Sequence, residues 1–294
     1  MPSLKEVRTR IDSVNSTKQI TSAMKMVSAS KLRRAQNAIL TMRPYAAKLQ
    51  ELMQNITATL EGSAEDKYAE VRPAQKILLV PVTSNRGLCG AFNANVTRAT
   101  TKLIQEKFKE QYDNGNLKLF CVGKKGEEFF RNRKYPVIGF ETDVFDHLTF
   151  LSVVPLAQQF MDLFESKTYD RIYFVYNQFK NAGTQVLIHE QFLPIELPDI
   201  KEENKWQSTE YIFEPGQEEI LEELIPKTLK TQVYKVLLDS FASEHGARMI
   251  AMHKATDNAT ELLKALKLSY NKARQAAITK EILEIVGGAN ALDR

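Results

Sequence analysis

The chain has few of the residues that usually mark a chemical site. Its 294 residues include two cysteines, four histidines and one tryptophan. Cys89 and Cys121 are far apart and have apolar neighbours, so we expect two buried free thiols rather than a disulfide or a metal site. The histidines are scattered, and the sequence has no nucleophile–base pattern and no spacing typical of metal ligands. The composition therefore predicts no catalytic residue, no metal and no cofactor.

Long hydrophobic runs are also missing. No apolar run approaches the roughly 20 residues that span a bilayer. The first ten residues are charged and lack the apolar core of a signal peptide. Hydrophobic residues nevertheless make up 43% of the chain, which is enough to bury a sizeable core. We expect a folded, cytoplasmic protein of bacterial type that is not inserted into the membrane.

Glycine and proline are nearly absent from both ends of the chain. Residues 1–60 contain no glycine, and residues 227–286 contain no proline and a single glycine, Gly246. Proline breaks a helix interior and glycine destabilises it, so these absences favour long helices. We predict that residues 1–60 form one helix, which Pro44 bends at most, and that residues 215–294 form another.

Apolar and small residues recur in both terminal segments at steps of three and four, the spacing of a coiled-coil seam. In the C-terminal segment they are Met249, Met252, Thr256, Ala259, Leu263, Leu266, Tyr270, Ala273 and Ala277. In the N-terminal segment they are Leu4, Val7, Ile11, Val14, Ile20, Met24, Val27, Met42, Ala46, Leu49, Met53, Ile56 and Leu60. Since neither helix can bury such a stripe alone, the sequence predicts that the two pair as a long antiparallel coiled coil.

Residues 74–200 show a different pattern, in which buried strands alternate with amphipathic helices. The predicted strands are residues 76–83, 117–122, 171–178 and 184–193, with residues 135–140 as a strand or a loop. The predicted helices are residues 91–111, 124–133 and 151–166. This alternation indicates an α/β, Rossmann-like domain with a largely parallel sheet, inserted between the terminal helices.

Two other function classes stay open at this point. Residues 1–60 hold ten Lys and Arg against three Asp and Glu, a net charge of +7, so this helix could bind nucleic acid. Its cations lack interleaved aromatic residues, which favours a solvated or partner-facing helix. Residues 84–90, SNRGLCG, follow the first strand as a nucleotide-binding loop would, but they match neither a P-loop nor G-x-G-x-x-G. A tight turn is the preferred interpretation.

A cluster of polar residues near the C-terminus is followed by an apolar end. The polar residues are Asn271, Lys272, Arg274, Gln275, Thr279, Lys280 and Glu281. The apolar residues are Ile282, Leu283, Ile285 and Val286, before Gly287 and Gly288. We interpret this pattern as a helical shaft whose end is enclosed by another protein, with side-chain hydrogen bonds from the polar residues and apolar contacts at the tip. Such a shaft needs a partner that surrounds it.

Five stretches together resemble the gamma subunits of F-type ATP synthases. They are residues 20–27 (ITSAMKMV) with 30–32 (SKL); 86–93 (RGLCGAFN); 211–215 (YIFEP); 242–245 (ASEH) with 248–249 (RM), 251–252 (AM) and 255–259 (ATDNA); and 270–279 (YNKARQAAIT) with 281–282 (EI) and 284–288 (EIVGG). The likeness runs through the whole chain in order, and its motifs are specific to this family.

The resemblance implies a rotor shaft without an active site of its own. The paired helices would stand inside a ring of alternating alpha and beta subunits, and the α/β domain would lie against the epsilon subunit and the membrane ring of c subunits. Proton-driven rotation of the c ring would turn the shaft and drive ATP synthesis on the beta subunits, and the chain would help to regulate ATPase activity and proton flow. It would lie peripherally at the cytoplasmic face of the bacterial inner membrane, without nucleic acid and without insertion into the membrane.

The resemblance also assigns partner-binding positions. Those that match positions facing the alpha/beta ring are Met24, Arg248, Arg274, Gln275 and Thr279. Those that match positions facing the c ring or the epsilon subunit are Arg86, Tyr211 and Glu214.

Two positions depart from the family pattern. Asn85 stands where the family commonly has an acidic residue, which removes the basis for a salt bridge there. Gly246 lies inside the predicted C-terminal helix, where glycine costs about 1 kcal/mol relative to alanine. The chain also lacks a cysteine-bearing insert of the chloroplast kind, so thiol control is not expected.

Overall fold

The computed structural model describes residues 3–59, 67–195 and 216–292. The chain divides into two units. The coil unit comprises Met1–Ala29 with Arg248–Arg294, and the sheet unit comprises Ser30–Ala247. The two long helices, α1 (Leu4–Thr59) and α6 (Gln217–Leu292), each contribute residues to both units.

Both terminal helices are continuous, as predicted. Helix α1 has 56 residues and includes Pro44. At its start, the hydroxyl of Ser3 accepts a hydrogen bond from the backbone N–H of Glu6 at 3.3 Å, which satisfies one of the free donors of the first turn. Helix α6 has 76 residues, and it continues through Pro226 near its beginning and through Gly287 and Gly288 near its end.

The sheet unit contains a five-stranded, largely parallel sheet. Its strands are β1 (Ile77–Pro81), β2 (Leu117–Val122), β3 (Val137–Glu141), β4 (Arg171–Phe179) and β5 (Gln185–Leu193). The strand order is β3-β2-β1-β4-β5, and only β5 is antiparallel to its neighbour. The α/β, Rossmann-like prediction is therefore confirmed, including the hairpin formed by the last two strands.

The shorter helices follow the predicted alternation with one correction. They are α2 (Phe92–Glu106), α3 (Lys109–Asp113), α4 (Lys124–Asn132) and α5 (Phe150–Glu165). The prediction of one helix over residues 91–111 is wrong, because the chain leaves the helical conformation at Phe108, where φ is −124°. This break lets the buried Phe108 ring pack 5.3 Å from the ring of Tyr173 on β4. Burial of an aromatic ring outweighs the continuation of an exposed helix.

The sheet has an apolar core on each face. On one face, α2, α3 and α4 cover Ile77, Leu79 and their neighbours. On the other face, α5 packs beside the first part of α6, which buries Ile225, Leu229, Val233, Val236 and Leu237. The beginning of the C-terminal helix therefore belongs to the core of the sheet unit, in the way that helices cover both faces of a parallel sheet.

Candidate functional site

The C-terminal seam is confirmed in the coil unit. All nine predicted positions from Met249 to Ala277 are buried or half-buried, whereas most residues between them are exposed. Met252, Ala259 and Leu263 are the most buried, at 5–8% exposure. This pattern is typical of a helix that presents one narrow stripe to a single partner helix.

The N-terminal seam needs a correction in its middle part. Ile20 and Val27, which we predicted on the stripe, are 60% and 58% exposed. The 3.5-residue period instead continues without interruption from Leu4 to Ser28. Its buried and half-buried positions are Leu4, Val7, Ile11, Val14, Lys18, Thr21, Lys25 and Ser28. Counting this period forward from Val14 finds Lys18, Thr21, Lys25 and Ser28, which a selection of apolar residues misses.

Small hydroxyl side chains make the contact between the two helices in this middle part. The hydroxyls of Thr21 on α1 and Thr256 on α6 lie 2.9 Å apart. In the sheet unit, Arg43 of α1 pairs in the same way with Asp239 of α6. Within the coil unit, the buried stripe of α1 extends from Thr21 mainly toward its N-terminus, to Leu4, and that of α6 extends from Thr256 mainly toward its C-terminus, to Ala277. Two stripes that share this pair can cover each other over that length only if the helices are antiparallel, so the antiparallel coiled coil is confirmed.

The end of α6 extends beyond the start of α1 in the coil unit. At the same rise per residue on both helices, the Thr21–Thr256 pair places Leu4 level with about residue 273. The remaining residues of α6 therefore have no partner on α1. They expose five large apolar side chains, at 49–71% exposure: Ile278, Ile282, Leu283, Ile285 and Val286. An exposed apolar group of this size marks an interaction surface.

Three of the predicted site residues lie where this overhang begins. Arg274, Gln275 and Thr279 are all exposed. The Thr279 hydroxyl donates to the backbone carbonyl of Gln275 at 2.9 Å, a bond within the helix. Within residues 3–59, 67–195 and 216–292, the side chains of Arg274 and Gln275 make no hydrogen bond and no ion pair. Their donors and acceptors are therefore available to another molecule.

The other two residues predicted to face a surrounding ring are less accessible. Met24 is half-buried on α1, next to the seam position Lys25. Arg248 is only 6% exposed and is engaged by neighbouring groups. The structure thus separates an exposed set at the overhang from two residues that pack within the fold.

The structure describes only one of the three residues that the resemblance assigns to the c ring or the epsilon subunit. Arg86 is exposed on the turn between β1 and α2, and its backbone carbonyl accepts a hydrogen bond from the Ser84 hydroxyl at 2.7 Å. Tyr211 and Glu214 lie outside the described residues.

The turn between β1 and α2 uses its polar groups to close on itself. The side-chain oxygen of Asn93 accepts hydrogen bonds from both the backbone N–H and the hydroxyl of Ser84, at 2.9 and 3.1 Å. Leu88 and Gly90 both adopt positive φ, at 63° and 60°. A residue with a side chain rarely adopts that conformation, so the turn is tightly constrained. The geometry favours a tight turn over a phosphate-binding loop.

Asn85 in the same turn connects the start of α4 with Thr142, the residue that follows β3. Its side-chain NH₂ donates to the Thr142 carbonyl at 2.7 Å, and its side-chain oxygen accepts from the Lys124 backbone N–H at 3.1 Å. A carboxylate can accept but cannot donate, so it could not make both bonds. An amide bridge takes the place of a salt bridge here.

A cavity of about 660 Å³ borders the edge strand β5 in the sheet unit. Its carboxylate, Glu190, accepts hydrogen bonds from Tyr176 at 2.7 Å and from Gln232 at 2.8 Å. The Tyr173 hydroxyl donates to Gln191 at 2.8 Å. These polar groups pair with one another instead of converging on a common point, which favours a structural role for them.

Both cysteines are free and buried, as predicted. Burial raises the pKa of the Cys121 thiol to about 12, so this group stays protonated and unreactive at neutral pH. In residues 3–59, 67–195 and 216–292, no three His, Cys, Asp or Glu side chains are placed to hold a metal ion. No helix in the same ranges has both the length and the apolar character needed to cross a membrane.

Comparison with known proteins identifies the family. A family model described as ATP synthase matches residues 3–292. The ATP synthase gamma chain of Flavobacterium johnsoniae is 57% identical over 293 residues, which cover 100% of both chains. That of Christiangramia forsetii is 55% identical, again over 100% of both chains. The chain belongs to the ATP synthase gamma chain family.

Solved structures agree with this membership. The central stalk and c-ring structure of Tetrahymena thermophila mitochondrial ATP synthase contains a chain with a TM-score of 0.58 and 27% identity, covering 80% of this chain and 99% of that one. A chain of Euglena gracilis mitochondrial ATP synthase has a TM-score of 0.67 and 98% coverage of this chain, but its 21% identity supports the fold alone. As a gamma-family chain, this protein is a central-stalk subunit of an ATP synthase, and its paired helices and sheet are the fold of that stalk.

Proposed function

We propose that the chain couples proton-driven rotation of a c ring to ATP synthesis and hydrolysis in a surrounding ring of alpha and beta subunits. The observation that carries this proposal is the overhang of α6. Exposed Arg274, Gln275 and Thr279 are followed by five exposed apolar side chains on a helix end that has no partner within the described chain. Since exposed apolar surface of this extent is unfavourable in water, a socket formed by other subunits explains it.

The catalytic sites lie on the beta subunits, and this chain supplies no reacting group. It acts by contacting the ring differently at each rotational position, because a shaft can shift the ring between conformations only through differential contact energy. Arg274, Gln275 and Thr279 offer directional hydrogen bonds for such contacts. Met24 and Arg248 act on the same ring, Met24 from beside the seam and Arg248 from within the packed fold.

The sheet unit connects the shaft to the membrane sector. Arg86, Tyr211 and Glu214 contact the c ring or the epsilon subunit in this proposal, and the exposed position of Arg86 on its turn is compatible with that role. The complex lies at the cytoplasmic face of the bacterial inner membrane, where the chain is peripheral. In this arrangement residues 1–60 and 215–294 supply the shaft and residues 74–200 the base, and the chain helps to regulate ATPase activity and proton flow.

Reconstitution tests the proposal. The chain is mixed with matching alpha and beta subunits, and the complex is examined by native mass spectrometry and by its ATPase rate. We expect one copy of this chain per six partner subunits and cooperative ATPase activity that is absent when the chain is omitted. A well-folded chain that fails to assemble would overturn the proposal. Steeply salt-dependent DNA binding would then favour the nucleic-acid alternative, and ATP binding by the isolated chain would favour the nucleotide enzyme.

A further inference from the structure

The hairpin of β4 and β5 lies along one face of α6 in the sheet unit. We propose that this hairpin is a strut that prevents α6 from twisting relative to the sheet, and that Arg43 is a positioning residue that ties the hairpin to both long helices. The inference rests on the proposed rotor function, because only a shaft that transmits torque needs such a strut. Three levels of contact carry it.

The first level is the tip of the hairpin. A Cβ atom on Gly246 of α6 would lie 3.1 Å from the carbonyl oxygen of Ala182, so a larger residue requires the hairpin backbone to move away by a few tenths of an ångström. One turn earlier, the side-chain NH₂ of Gln185 donates to the carbonyl of Ser243 at 3.2 Å. The close approach of the hairpin therefore explains why a glycine lies in this helix, although glycine costs about 1 kcal/mol in helix propensity.

The second level ties α1 to the same place. The guanidinium of Arg43 donates to the Phe179 carbonyl at the end of β4 at 3.0 Å. The same nitrogen lies 3.5 Å from a carboxylate oxygen of Asp239 on α6. Asp239 is 2% exposed, whereas the Arg43 side chain is 50% exposed, so the guanidinium reaches from the surface to a buried carboxylate. One side chain thus joins the hairpin, α1 and α6.

The third level lies nearer the middle of the hairpin. Glu190 on β5 accepts a hydrogen bond from Gln232 of α6 and another from Tyr176 of β4. Tyr176 is fully buried, which fixes the orientation of the carboxylate. Hydrogen bonds to a charged group are stronger than those between neutral groups, so this tie adds directly to the rigidity of the joint.

The positions on α6 show that these ties act together. Gln232, Asp239, Ser243 and Gly246 are separated by seven, four and three residues, so they lie on one face of the helix. They extend over about 20 Å of its length. With a single contact the helix could still rotate about that point, whereas contacts at several turns resist rotation of the helix about its own axis. Torque applied to the sheet therefore reaches α6 through the hairpin.

Single-molecule rotation of the reconstituted complex tests the strut. The alpha/beta ring is fixed to a surface, and a bead is attached through a biotin-acceptor peptide inserted between Asn114 and Gly115, an exposed turn of the sheet unit. The angular variance of the bead is measured while the motor pauses. This variance reports the twist between sheet and shaft, and it does not depend on the thermal stability of the fold.

Two sets of variants remove ties at different levels. Gly246→Leu pushes the tip away, and Arg43→Ala with Asp239→Asn removes the central tie without leaving a buried charge unpaired. If the three levels act independently, loss of one raises the variance by about half. The exposed Arg98 on α2 provides the matched control, and Arg98→Ala leaves the variance at the wild-type value.

A reversible cross-link gives a test within one molecule. The variant with both Ala182→Cys and Gly246→Cys places two thiols at the closest approach of the tip, and the two native cysteines are buried. Oxidation should narrow the angular variance, and a reductant should widen it again. Unchanged variance in all these variants, in complexes that still rotate, would overturn the strut. A wild-type complex that does not rotate would instead refute the proposed function.

Discussion

At the scale of single residues, Asp239 is the most unusual group in the sheet unit. Its carboxyl is 2% exposed, and within residues 3–59, 67–195 and 216–292 neither oxygen accepts a hydrogen bond and the nearest cation is Arg43, 3.5 Å away. Burial raises the pKa of this carboxyl from 3.8 to about 6, although the positive charges of Arg43 and Lys235 oppose the shift. The cost of desolvating the carboxylate therefore exceeds the attraction of its partners.

The substitution Asp239→Asn should change how stability depends on pH. The folded state holds the proton more tightly than the unfolded state, so the contribution of Asp239 is fully present below pH 4 and is lost as the pH rises through about 6. We expect the variant to match the wild type at pH 4 and to be more stable at pH 8, by at most about 3 kcal/mol. Urea unfolding at both pH values measures this difference.

The exposed Asp146 supplies the control, because Asp146→Asn removes no buried carboxylate and should not reproduce the gain in stability at pH 8. If Asp239→Asn proved less stable than the wild type at pH 8, the attraction of Arg43 would outweigh burial and the assignment would be wrong.

Asn85 allows a second test at this scale. The substitution Asn85→Asp replaces the donor to the Thr142 carbonyl with a carboxylate oxygen, so two acceptors would face each other across 2.7 Å. We expect the free energy of unfolding to fall by about 1–3 kcal/mol. Thermal unfolding checks this, with Asn15→Asp on the exposed face of α1 as the control. A variant as stable as the wild type would show that the amide bridge contributes nothing.

At the scale of elements, the coiled coil has a polar stretch in its seam. The hydroxyls of Thr21 and Thr256 lie 2.9 Å apart, and each also lies within hydrogen-bond distance of a carbonyl of its own helix, that of Lys18 or Met252. Because each hydroxyl has one hydrogen, one threonine donates across the helices and the other donates to its own helix backbone. The pair therefore holds the two helices in register without leaving a polar group unsatisfied. Polar residues at a seam position are known to specify register at some cost in stability.

A double-mutant cycle measures that pair. Replacing either threonine with valine removes the same hydrogen bond, so the second replacement loses nothing further. We expect Thr21→Val with Thr256→Val to be less destabilising than the sum of the single changes, with a coupling of about 1 kcal/mol. Chemical unfolding of the four proteins gives the value. Thr9→Val, at an exposed position of α1, should show no coupling with Thr256→Val. Additive effects would mean that the hydroxyls do not interact in solution.

At the scale of the whole molecule, the overhang of α6 makes a prediction about coupling. Arg274 and Gln275 are exposed and hold no partner within the described chain, so Arg274→Ala with Gln275→Ala should leave folding intact. If each substitution removes one hydrogen bond between this chain and the alpha/beta ring, the rate of ATP synthesis in reconstituted vesicles should fall by about tenfold or more. Arg98→Ala with Asn95→Ala, both exposed on α2, is the control. Unchanged synthesis would remove these residues from the proposed contact.

Met24 supplies a second prediction at this scale. Met24→Lys adds a charge to a half-buried position beside the seam, whereas Met24→Leu keeps its volume and apolar character. We expect the lysine variant to hydrolyse ATP with less proton pumping than the wild type, and the leucine variant to pump normally. The ratio of pumping to hydrolysis in vesicles is the measurement. Full coupling in the lysine variant would count against the position assigned to Met24.

Periodicity in the sequence predicted the structure better than the choice of apolar residues did. The coiled coil and the parallel sheet could be predicted from the 3.5-residue period, the absence of glycine and proline, and the alternation of strands and helices. Selecting apolar residues was not sufficient in the middle of α1, where Thr21 and Ser28 occupy the seam and Ile20 and Val27 are exposed. Burial at those positions is set by the partner helix rather than by hydrophobicity.

Local periodicity and contiguous motifs in the sequence were enough to predict most elements and the family of this protein. The roles of the exceptional residues depend instead on the folded structure. Gly246 admits the hairpin, Asn85 connects the start of α4 with the residue after β3, and Phe108 ends a helix to reach Tyr173. Each of these contacts joins residues far apart in the chain, and no local pattern specifies such a contact, since its energy arises only when the fold brings the two groups together.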